Sequence, residues 1–395
     1  MQFENEFSEF VKHSESLSAR ECACAGEALG EALGHGRVGV AYRSGELSNA
    51  CADAVSAGLR TAGVDVWNFG VLFEAQLSFL VPFCSLKAGV FISADDGTVS
   101  VFGENGLSIS TALSEKATEL MQSKIGTFAV CGSAFDMSAM TMLYRDELSR
   151  RLPRCVTDCA VLSSNPLITA LTDDCMRITG SERRLTFRIN RWGTSLTAYS
   201  EKTGVVPFVK LVAMCGMYEL ESGSDISVPY DAPAFLDELA RSCGRTAYRY
   251  LSAPSDGSDN IARRLAARQF WSRDALFTAA RIMSMMEEKC VDFSTLYEKL
   301  PPFFVYSTVA KLDVPPEYLS EFEGENFSFD RDGGNGFVLI EKRGQAHISP
   351  VSADKVRLTV QSVNEETAQE LCADIQRILS EKGRISKPAR TVDFP

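Results

Sequence analysis

The sequence contains few of the residues that build metal sites. Its three histidines are far apart among 395 residues. The 12 cysteines are scattered, and two pairs lie close together, Cys22 with Cys24 and Cys155 with Cys159. Structural zinc requires four clustered ligands, and neither pair has a second pair at zinc spacing. We therefore expect buried thiols and no metal site at these cysteines.

Long apolar segments are also absent. The most apolar stretch, Val71–Phe83, is interrupted by Glu74 and Gln76 and is too short to cross a bilayer. The first residues are acidic and lack the apolar core of a signal peptide. We expect a cytoplasmic protein that has no membrane partner and keeps its cysteines reduced.

An excess of positive charge is missing as well. The chain has 40 Lys and Arg against 52 Asp and Glu, a formal net charge of −12. This balance argues against non-specific binding to nucleic acids. The content of hydrophobic residues, 45%, is that of a globular protein, and the length corresponds to two to four domains at about 150 residues each.

The common catalytic motifs are not found. The sequence has no phosphate-binding GxxxxGK[ST] loop, no GxSxG nucleophile turn and no HExxH zinc motif. Gly34, Gly36 and Gly39 match the dinucleotide-binding pattern GxGxxG. That site needs its glycines after a strand and before a helix, whereas these follow a predicted helix and open a predicted strand. The match therefore does not indicate a dinucleotide site.

What is present is an alternation of strand and helix patterns. Arg37–Tyr42, Val64–Trp67 and Ala88–Ser93 are short apolar runs typical of strands. Between the first two, residues 46–60 place apolar side chains at helical spacing. This order predicts a parallel sheet covered on both faces by helices.

The pattern in the rest of the chain predicts a second α/β unit followed by a C-terminal unit of another type. Leu185–Ile189 and Ser195–Tyr199 are predicted strands, and Asp274–Lys289 is a predicted helix. After Pro315 and Pro316, apolar and polar residues alternate as in half-buried strands, and one amphipathic helix follows. The fold class is therefore α/β and multi-domain, with a small C-terminal α+β domain.

The order of several short segments resembles the α-D-phosphohexomutase superfamily, which includes phosphoglucomutase, phosphomannomutase and phosphoglucosamine mutase. Each segment is weakly specific, but together they span about four fifths of the chain. The segments include Tyr42–Gly45, Gly58–Gly63, Ala88–Ala94, Val101–Leu107 and Gly244–Thr246.

This resemblance implies mixed α/β sandwich domains around one cleft. The implied domains are residues 20–125, a truncated second domain at 126–184, residues 185–305, and a C-terminal domain at 320–385. It also implies an intramolecular phosphoryl transfer on hexose phosphates in carbohydrate metabolism, in which a phosphoserine is the donor and Mg²⁺ assists. The superfamily members are isomerases.

The charged loops that would perform this chemistry differ from the superfamily pattern. The phosphoserine loop falls on Ser93–Thr98, with Asp95 at the serine position, and the metal loop falls on Arg191–Leu196. In the metal loop all three carboxylates are gone, and Arg191 replaces one of them. The sugar-binding and phosphate-binding loops are not recognisable either. We expect no intact catalytic residue, no metal ligands and hence no cofactor.

Three interpretations of the altered loops remain open. Asp95 can mimic the charge of a phosphoserine and pair with Arg191, which would take the place of the metal. Both residues can instead be solvated remnants of a lost site. Asp95 can also be a nucleophile that forms an aspartyl phosphate, although only Asp96 is close enough in sequence to assist a metal.

The sequence thus favours a catalytically inactive pseudoenzyme that acts as a binding or regulatory protein. A weak or altered mutase is the alternative. Arg263 and Arg264, with Arg268, are candidate ligands for a sugar phosphate, or else a solvated helix face. Candidate partners are a second copy of the chain or an active relative, and the resemblance points to the helices at Leu47–Leu59 and Gln76–Val81 as contacts.

Overall fold

The structure is a computed structural model of the chain. It describes residues 2–4, 9–11, 16–122, 130–153, 156–157, 159–175, 178–179, 184–251, 259–311, 329–331, 336–341, 343–352 and 355–383. All cysteines within these ranges are free thiols, but the prediction that they are buried is wrong for Cys24, Cys131, Cys243 and Cys290, which are exposed. Cys155 and the Pro315–Pro316 boundary lie outside the described residues. Of the helices in these ranges, none has the length and apolar character that crossing a bilayer requires.

The first unit is a seven-stranded sheet covered by helices. The strand order is β1-β2-β6-β5-β3-β4-β7. Its elements are β1 (Gln2–Glu4), β2 (Glu9–Val11), α1 (Ala19–Leu33), β3 (Arg37–Tyr42), α2 (Glu46–Thr61), β4 (Asp65–Val71), α3 (Glu74–Phe83), β5 (Ala88–Ser93), β6 (Thr98–Gly103), α4 (Thr111–Gln122) and β7 (Ala134–Asp136).

The three predicted strands, β3, β4 and β5, are parallel neighbours as expected, but the complete sheet is mixed. Strands β5, β3, β4 and β7 are parallel, but β6 runs antiparallel to β5 and continues into β2 and β1. The reversal occurs in a short turn that ends at Gly97, whose φ of +70° suits a residue without a Cβ. Because β1, β2 and β7 join this sheet, it extends beyond the predicted 20–125 range on both sides.

The second unit contains a four-stranded sheet in the order β13-β12-β11-β9. Residues 185–206 therefore share a sheet with residues 159–163, across the position at which the resemblance implied a domain boundary. The unit comprises α5 (Met142–Arg151), β8 (Val156–Thr157), β9 (Cys159–Ser163), α6 (Pro166–Cys175), β10 (Ile178–Thr179), β11 (Leu185–Ile189), β12 (Leu196–Ser200), β13 (Gly204–Val206) and α7 (Phe208–Glu221).

The third unit is mainly helical around one parallel strand pair. Its elements are β14 (Ile226–Pro229), α8 (Phe235–Ser242), β15 (Ala247–Tyr250), α9 (Asn260–Ala266), α10 (Ala275–Lys289) and α11 (Phe293–Glu298).

The fourth unit is an antiparallel sheet with one helix on one face, which confirms the predicted C-terminal α+β fold. The strand order is β16-β20-β19-β18-β17, so the sheet includes β16 from outside the predicted 320–385 range. The elements are β16 (Phe304–Lys311), β17 (Phe329–Arg331), β18 (Phe337–Glu341), β19 (Gly344–Ser352), β20 (Lys355–Ser362) and α12 (Glu365–Gly383).

An aromatic cluster joins the first three units. Phe79 of α3, Tyr144 of α5 and Phe277 of α10 come from different units and are almost fully buried. The ring centroid of Phe79 lies 5.1 Å from that of Tyr144 and 5.7 Å from that of Phe277. Such contacts add to the free energy gained by burying the rings, so these units share one core.

A buried carboxylate adjoins this cluster. Asp274 caps α10 by accepting hydrogen bonds from the backbone N–H of Leu276 and Phe277, at 2.9 and 3.2 Å. The Tyr144 hydroxyl donates to the same carboxylate, 2.9 Å from Oδ2. Burial raises the pKa of Asp274 to about 7, because the hydrogen bonds do not fully replace the lost hydration of the charge.

We predict that Asp274→Asn changes how stability depends on pH. The native pKa of Asp274 lies above its unfolded value, so the free energy of unfolding falls as pH rises between those values, by up to roughly 1.4 kcal/mol per pH unit. Asparagine does not ionise, so the variant lacks this pH dependence, and its side chain can still cap α10. Denaturant unfolding should therefore show the variant gaining stability relative to wild type from pH 5 to pH 8. An equal difference at both pH values would contradict the assignment.

Candidate functional site

Three charged side chains meet where the first and second units face each other. Asp96 Oδ1 lies 2.7 Å from Arg191 Nη2, and Asp96 Oδ2 lies 3.1 Å from Arg43 Nη1. The Ser93 hydroxyl also donates to Asp96 Oδ2, at 2.6 Å. The Asp96 side chain is 19% exposed, and both arginines are 35–38% exposed. We call Arg43, Asp96 and Arg191 the arginine–aspartate cluster.

Of the interpretations that the sequence left open, the pairing of Asp95 with Arg191 is not observed among the described residues, and the aspartate that contacts Arg191 is Asp96. Both aspartates lie in the 3₁₀ turn Ala94–Asp96 that follows β5. Successive side chains in such a turn point in different directions, at about three residues per turn. Asp95 is exposed and has no hydrogen-bond or ion-pair partner among the described residues. Its role at the phosphoserine position stays a prediction.

The first sheet brings Arg43 and Asp96 together. Arg43 directly follows β3 and Asp96 follows β5, and these strands are parallel neighbours. The backbone N–H of Arg43 donates to the carbonyl of Ile92, at 2.9 Å. The carboxyl ends of parallel strands form the sheet edge at which α/β proteins commonly bind ligands, so the cluster lies at such an edge.

The turn that carries Arg191 is held by its own hydrogen bonds. The Asn190 side chain accepts from the backbone N–H of Thr194 and donates to its hydroxyl, both at 3.0 Å. Asn165 donates to the carbonyl of Arg191, at 2.7 Å. The Arg191 guanidinium also stacks over the Trp192 ring, 4.2 Å from its centroid. These contacts fix the base of the Arg191 side chain.

The same turn packs against the first and third units. The carbonyl of Trp192 accepts from Ala75 at the start of α3, at 3.1 Å, and that of Gly193 accepts from Ala275 at the start of α10, at 2.9 Å. Gly193 has a φ of +75°, and a Cβ there would lie 2.6 Å from the Phe73 ring. Only glycine fits this close approach without a shift of the ring.

The residues at this position do not fit a divalent cation. Mg²⁺ takes oxygen ligands, and the described residues include no group of three or more histidine, cysteine or acidic side chains that could hold a metal. At the turn itself Arg191 supplies a positive charge. The side chains at this turn thus do not offer the oxygen ligands that Mg²⁺ needs, and we derive no step through a metal.

Arg263 does not lie in an open ligand site. It is 6% exposed, and its Nε donates to Asp259, at 2.8 Å. Its Nη1 donates to the carbonyl of Ser108, at 2.8 Å, and its Nη2 donates to that of Leu251. Arg263 thus connects α9 to the first unit, which differs from the solvated helix face that the sequence also allowed.

Arg264 and Arg268 are exposed and form no ion pair with any described residue. Arg268 lines a cavity of about 600 Å³ together with Arg151 and Arg281. Arg281 is itself paired with glutamates. The structure therefore does not bring the three candidate arginines of this region into one anion site.

We predict that Arg191 and Asp96 are energetically coupled. A double-mutant cycle with Arg191→Ala and Asp96→Ala should give a coupling of about 0.5–1 kcal/mol in denaturant unfolding, and added salt should weaken it. Arg188→Ala is the matched control, because Arg188 is exposed on the adjacent strand β11 and has no ion-pair partner among the described residues. Zero coupling at low salt would mean that the contact is not formed in solution.

Among comparisons with known sequences, the clearest match lies in the first unit. Residues 11–125 match the family model for phosphoglucomutase/phosphomannomutase, alpha/beta/alpha domain I. The phosphoglucosamine mutase of Saccharopolyspora erythraea is 30% identical over 152 residues, which cover 35% of this chain and 33% of that protein. That of Lactobacillus delbrueckii subsp. bulgaricus is 38% identical over 76 residues, 18% of this chain and 17% of that protein. The chain thus matches a third or less of the length of these relatives.

Comparison with solved structures extends the similarity of fold to nearly the whole chain. A phosphoglucomutase/phosphomannomutase family protein from Burkholderia thailandensis superposes with a TM-score of 0.69 at 14% identity, covering 96% of this chain and 98% of that chain. A putative phosphomannomutase from Thermus thermophilus gives 0.65 at 12% identity, covering 94% and 97%. At such identities the likeness concerns the fold.

Proposed function

We propose that this chain is a non-catalytic member of the phosphohexomutase superfamily that acts as a binding or regulatory protein in hexose phosphate metabolism. The match of residues 11–125 to the family model and the similarity of fold support this proposal. The observation that carries the proposal is the pairing of Asp96 with Arg43 and Arg191. In the resemblance given above, the phosphoserine loop would fall on Ser93–Thr98 and the metal loop on Arg191–Leu196. The ion pair between Asp96 and Arg191 joins these two segments.

The chemistry of phosphoryl transfer supports this proposal. The reaction depends on positioned positive charge that neutralises the transferred group, together with a nucleophile that can carry it. Arg191 can offer hydrogen bonds to a phosphate, but as a side chain held by Asp96 it cannot coordinate the attacking and leaving oxygens as a metal ion does. The nearby hydroxyl of Ser93 is buried and donates to Asp96, which leaves it poorly placed as a nucleophile.

The charge of the cluster supports a phosphorylated ligand. Two guanidinium groups surround one carboxylate, so the cluster keeps a net charge of +1 with Arg43 and Arg191 more than a third exposed. Guanidinium groups bind phosphate oxygens through paired hydrogen bonds. We therefore propose a sugar phosphate as the ligand, bound at the cluster and not turned over.

A weak or altered mutase remains the second candidate. One observation favours it, since the Asp95 carboxylate is exposed next to the cluster and unpaired among the described residues. An exposed carboxylate can act as a nucleophile and form an acyl phosphate. The same loop lacks the additional oxygen ligands that would bring a metal to it.

We predict thermal stabilisation by sugar phosphates without turnover. Glucose, mannose and glucosamine phosphates should raise the melting temperature and should not be isomerised in the presence of Mg²⁺. Arg191→Ala should reduce the shift several-fold, because it removes one of the two cations, while the control Arg188→Ala should leave it unchanged. Unphosphorylated glucose should give no shift through this site.

Two results would contradict this function. Isomerisation that survives repurification and disappears in Asp95→Asn would establish the weak mutase. If sugar phosphates are neither isomerised nor raise the melting temperature, a sugar phosphate is excluded as the ligand. The protein would then bind other partners.

A further inference from the structure

A second cavity lies between the third and fourth units, apart from the arginine–aspartate cluster. Its volume is about 160 Å³. One wall is the face of the fourth sheet that points away from α12, and the opposite wall is the segment around the start of α8. The cavity is lined by Tyr230, Asp231, Asp237, Arg249, Val338, Ile340, Gln345, Ala346, His347, Thr359 and Gln361.

The alternation of side chains along β20 explains why polar residues line the cavity. Leu358 and Val360 of β20 are fully buried in the core beneath α12. Thr359 and Gln361 alternate with them and therefore face the third unit. The backbone N–H of Ala234 donates to Gln361 Oε1, at 2.9 Å, and ties the two units together at the cavity.

Gln361 has a buried hydrogen-bond donor, Nε2, that has no partner among the described residues. The residue is 8% exposed, and its Oε1 also accepts from Gln345 Nε2, at 3.0 Å. A backbone N–H can only donate, so the bond from Ala234 fixes which end of the amide is oxygen. Among the residues that the structure describes, Nε2 then has no hydrogen-bond partner. A buried amide donor left unpaired is costly, so this group indicates a missing acceptor.

Asp231 supplies a free acceptor to the same cavity. It is partly buried and has no hydrogen-bond or ion-pair partner among the described residues. Asp237 is already paired with Arg249, at 2.6 Å. Arg249 also donates to the carbonyls of Tyr230 and Ala232, at 2.7 and 2.8 Å. The described lining therefore offers no lysine and no uncommitted arginine, and its net charge is unfavourable for an anion.

The remaining lining is apolar and flat. The rings of Tyr230 and His347 lie side by side, with centroids 5.0 Å apart and an angle of 33° between the planes. Val338 and Ile340 add aliphatic surface. Small-molecule sites combine such apolar walls with a few placed polar groups.

We propose that this cavity binds a small uncharged polyol. A hydroxyl group both accepts and donates, so adjacent hydroxyls can accept from Gln361 Nε2 and donate to Asp231. The C–H face of the carbon skeleton would lie against the rings. A cavity of about 150 Å³ accommodates a six-membered ring, and this cavity has a similar volume. Asp231 disfavours phosphorylated compounds, so this site differs in ligand and residues from the proposed sugar phosphate site.

The test compares myo-inositol with inositol 1-phosphate, which differ by one phosphate group, in calorimetric titrations of the full chain. Myo-inositol should bind, and the phosphate should bind at least tenfold more weakly at this cavity. Gln361→Glu should abolish binding of myo-inositol. This substitution keeps the acceptor for Ala234 and replaces the unpaired donor by a charged oxygen, so we expect the protein to fold. Circular dichroism and the melting temperature check this.

Two further variants make the test specific. Asp231→Asn should weaken binding of myo-inositol about tenfold, because it removes the charged acceptor while keeping the shape. Gln369→Glu makes the same chemical change at an exposed position of α12 and should leave the binding of myo-inositol unchanged. No heat and no thermal shift with myo-inositol would mean that the cavity holds water only and would overturn the proposal. Tighter binding of the phosphate that depends on Gln361 would overturn the uncharged class.

Discussion

The contact between Arg191 and Asp96 joins the turn of the second unit to the carboxyl edge of the first sheet. It depends on how firmly that turn is seated. Gly193 packs against Phe73, and the carbonyls of Trp192 and Gly193 accept from the first turns of α3 and α10. Three units thus determine where the Arg191 guanidinium points. Displacing the turn would change the interface between these units as well as the ion pair.

The ion pair itself contributes little to stability, since partly exposed pairs are worth roughly 0–1 kcal/mol. The stability of the junction comes from the buried rings of Phe79, Tyr144 and Phe277 and from the cap formed by Asp274. This division separates two roles. The aromatic core holds the units together, and the arginine–aspartate cluster determines the charge that a ligand meets at the sheet edge.

Much of the local structure could be predicted, because helix and strand periodicities are local properties of the sequence. The strand Arg37–Tyr42 and the helix capped by Asp274 occur as expected. Sheet membership could not be predicted in the same way. Whether β11 pairs with β9 or opens a new sheet depends on residues more than twenty positions away.

At the site, the sequence left a pairing of Asp95 with Arg191 open, whereas the aspartate that contacts Arg191 is Asp96. Asp95 and Asp96 differ by one position in a 3₁₀ turn, and only the turn geometry decides which of them faces the arginine. The role of Arg43 was missed because it depends on β3 and β5 being neighbours. A signal for the burial of Arg263 was present, since Asp259 lies four residues before it at helical ion-pair spacing.

We propose that Asp96 and Arg191 have replaced a transferable phosphoryl group and its metal. Intact-protein mass spectrometry after incubation with a hexose bisphosphate and Mg²⁺ tests this replacement, since such a compound would phosphorylate a working donor site. We expect an unchanged mass for wild type. A gain equal to one phosphoryl group, mapped to the segment Ser93–Asp96 and lost in the Asp95→Asn variant, would contradict it.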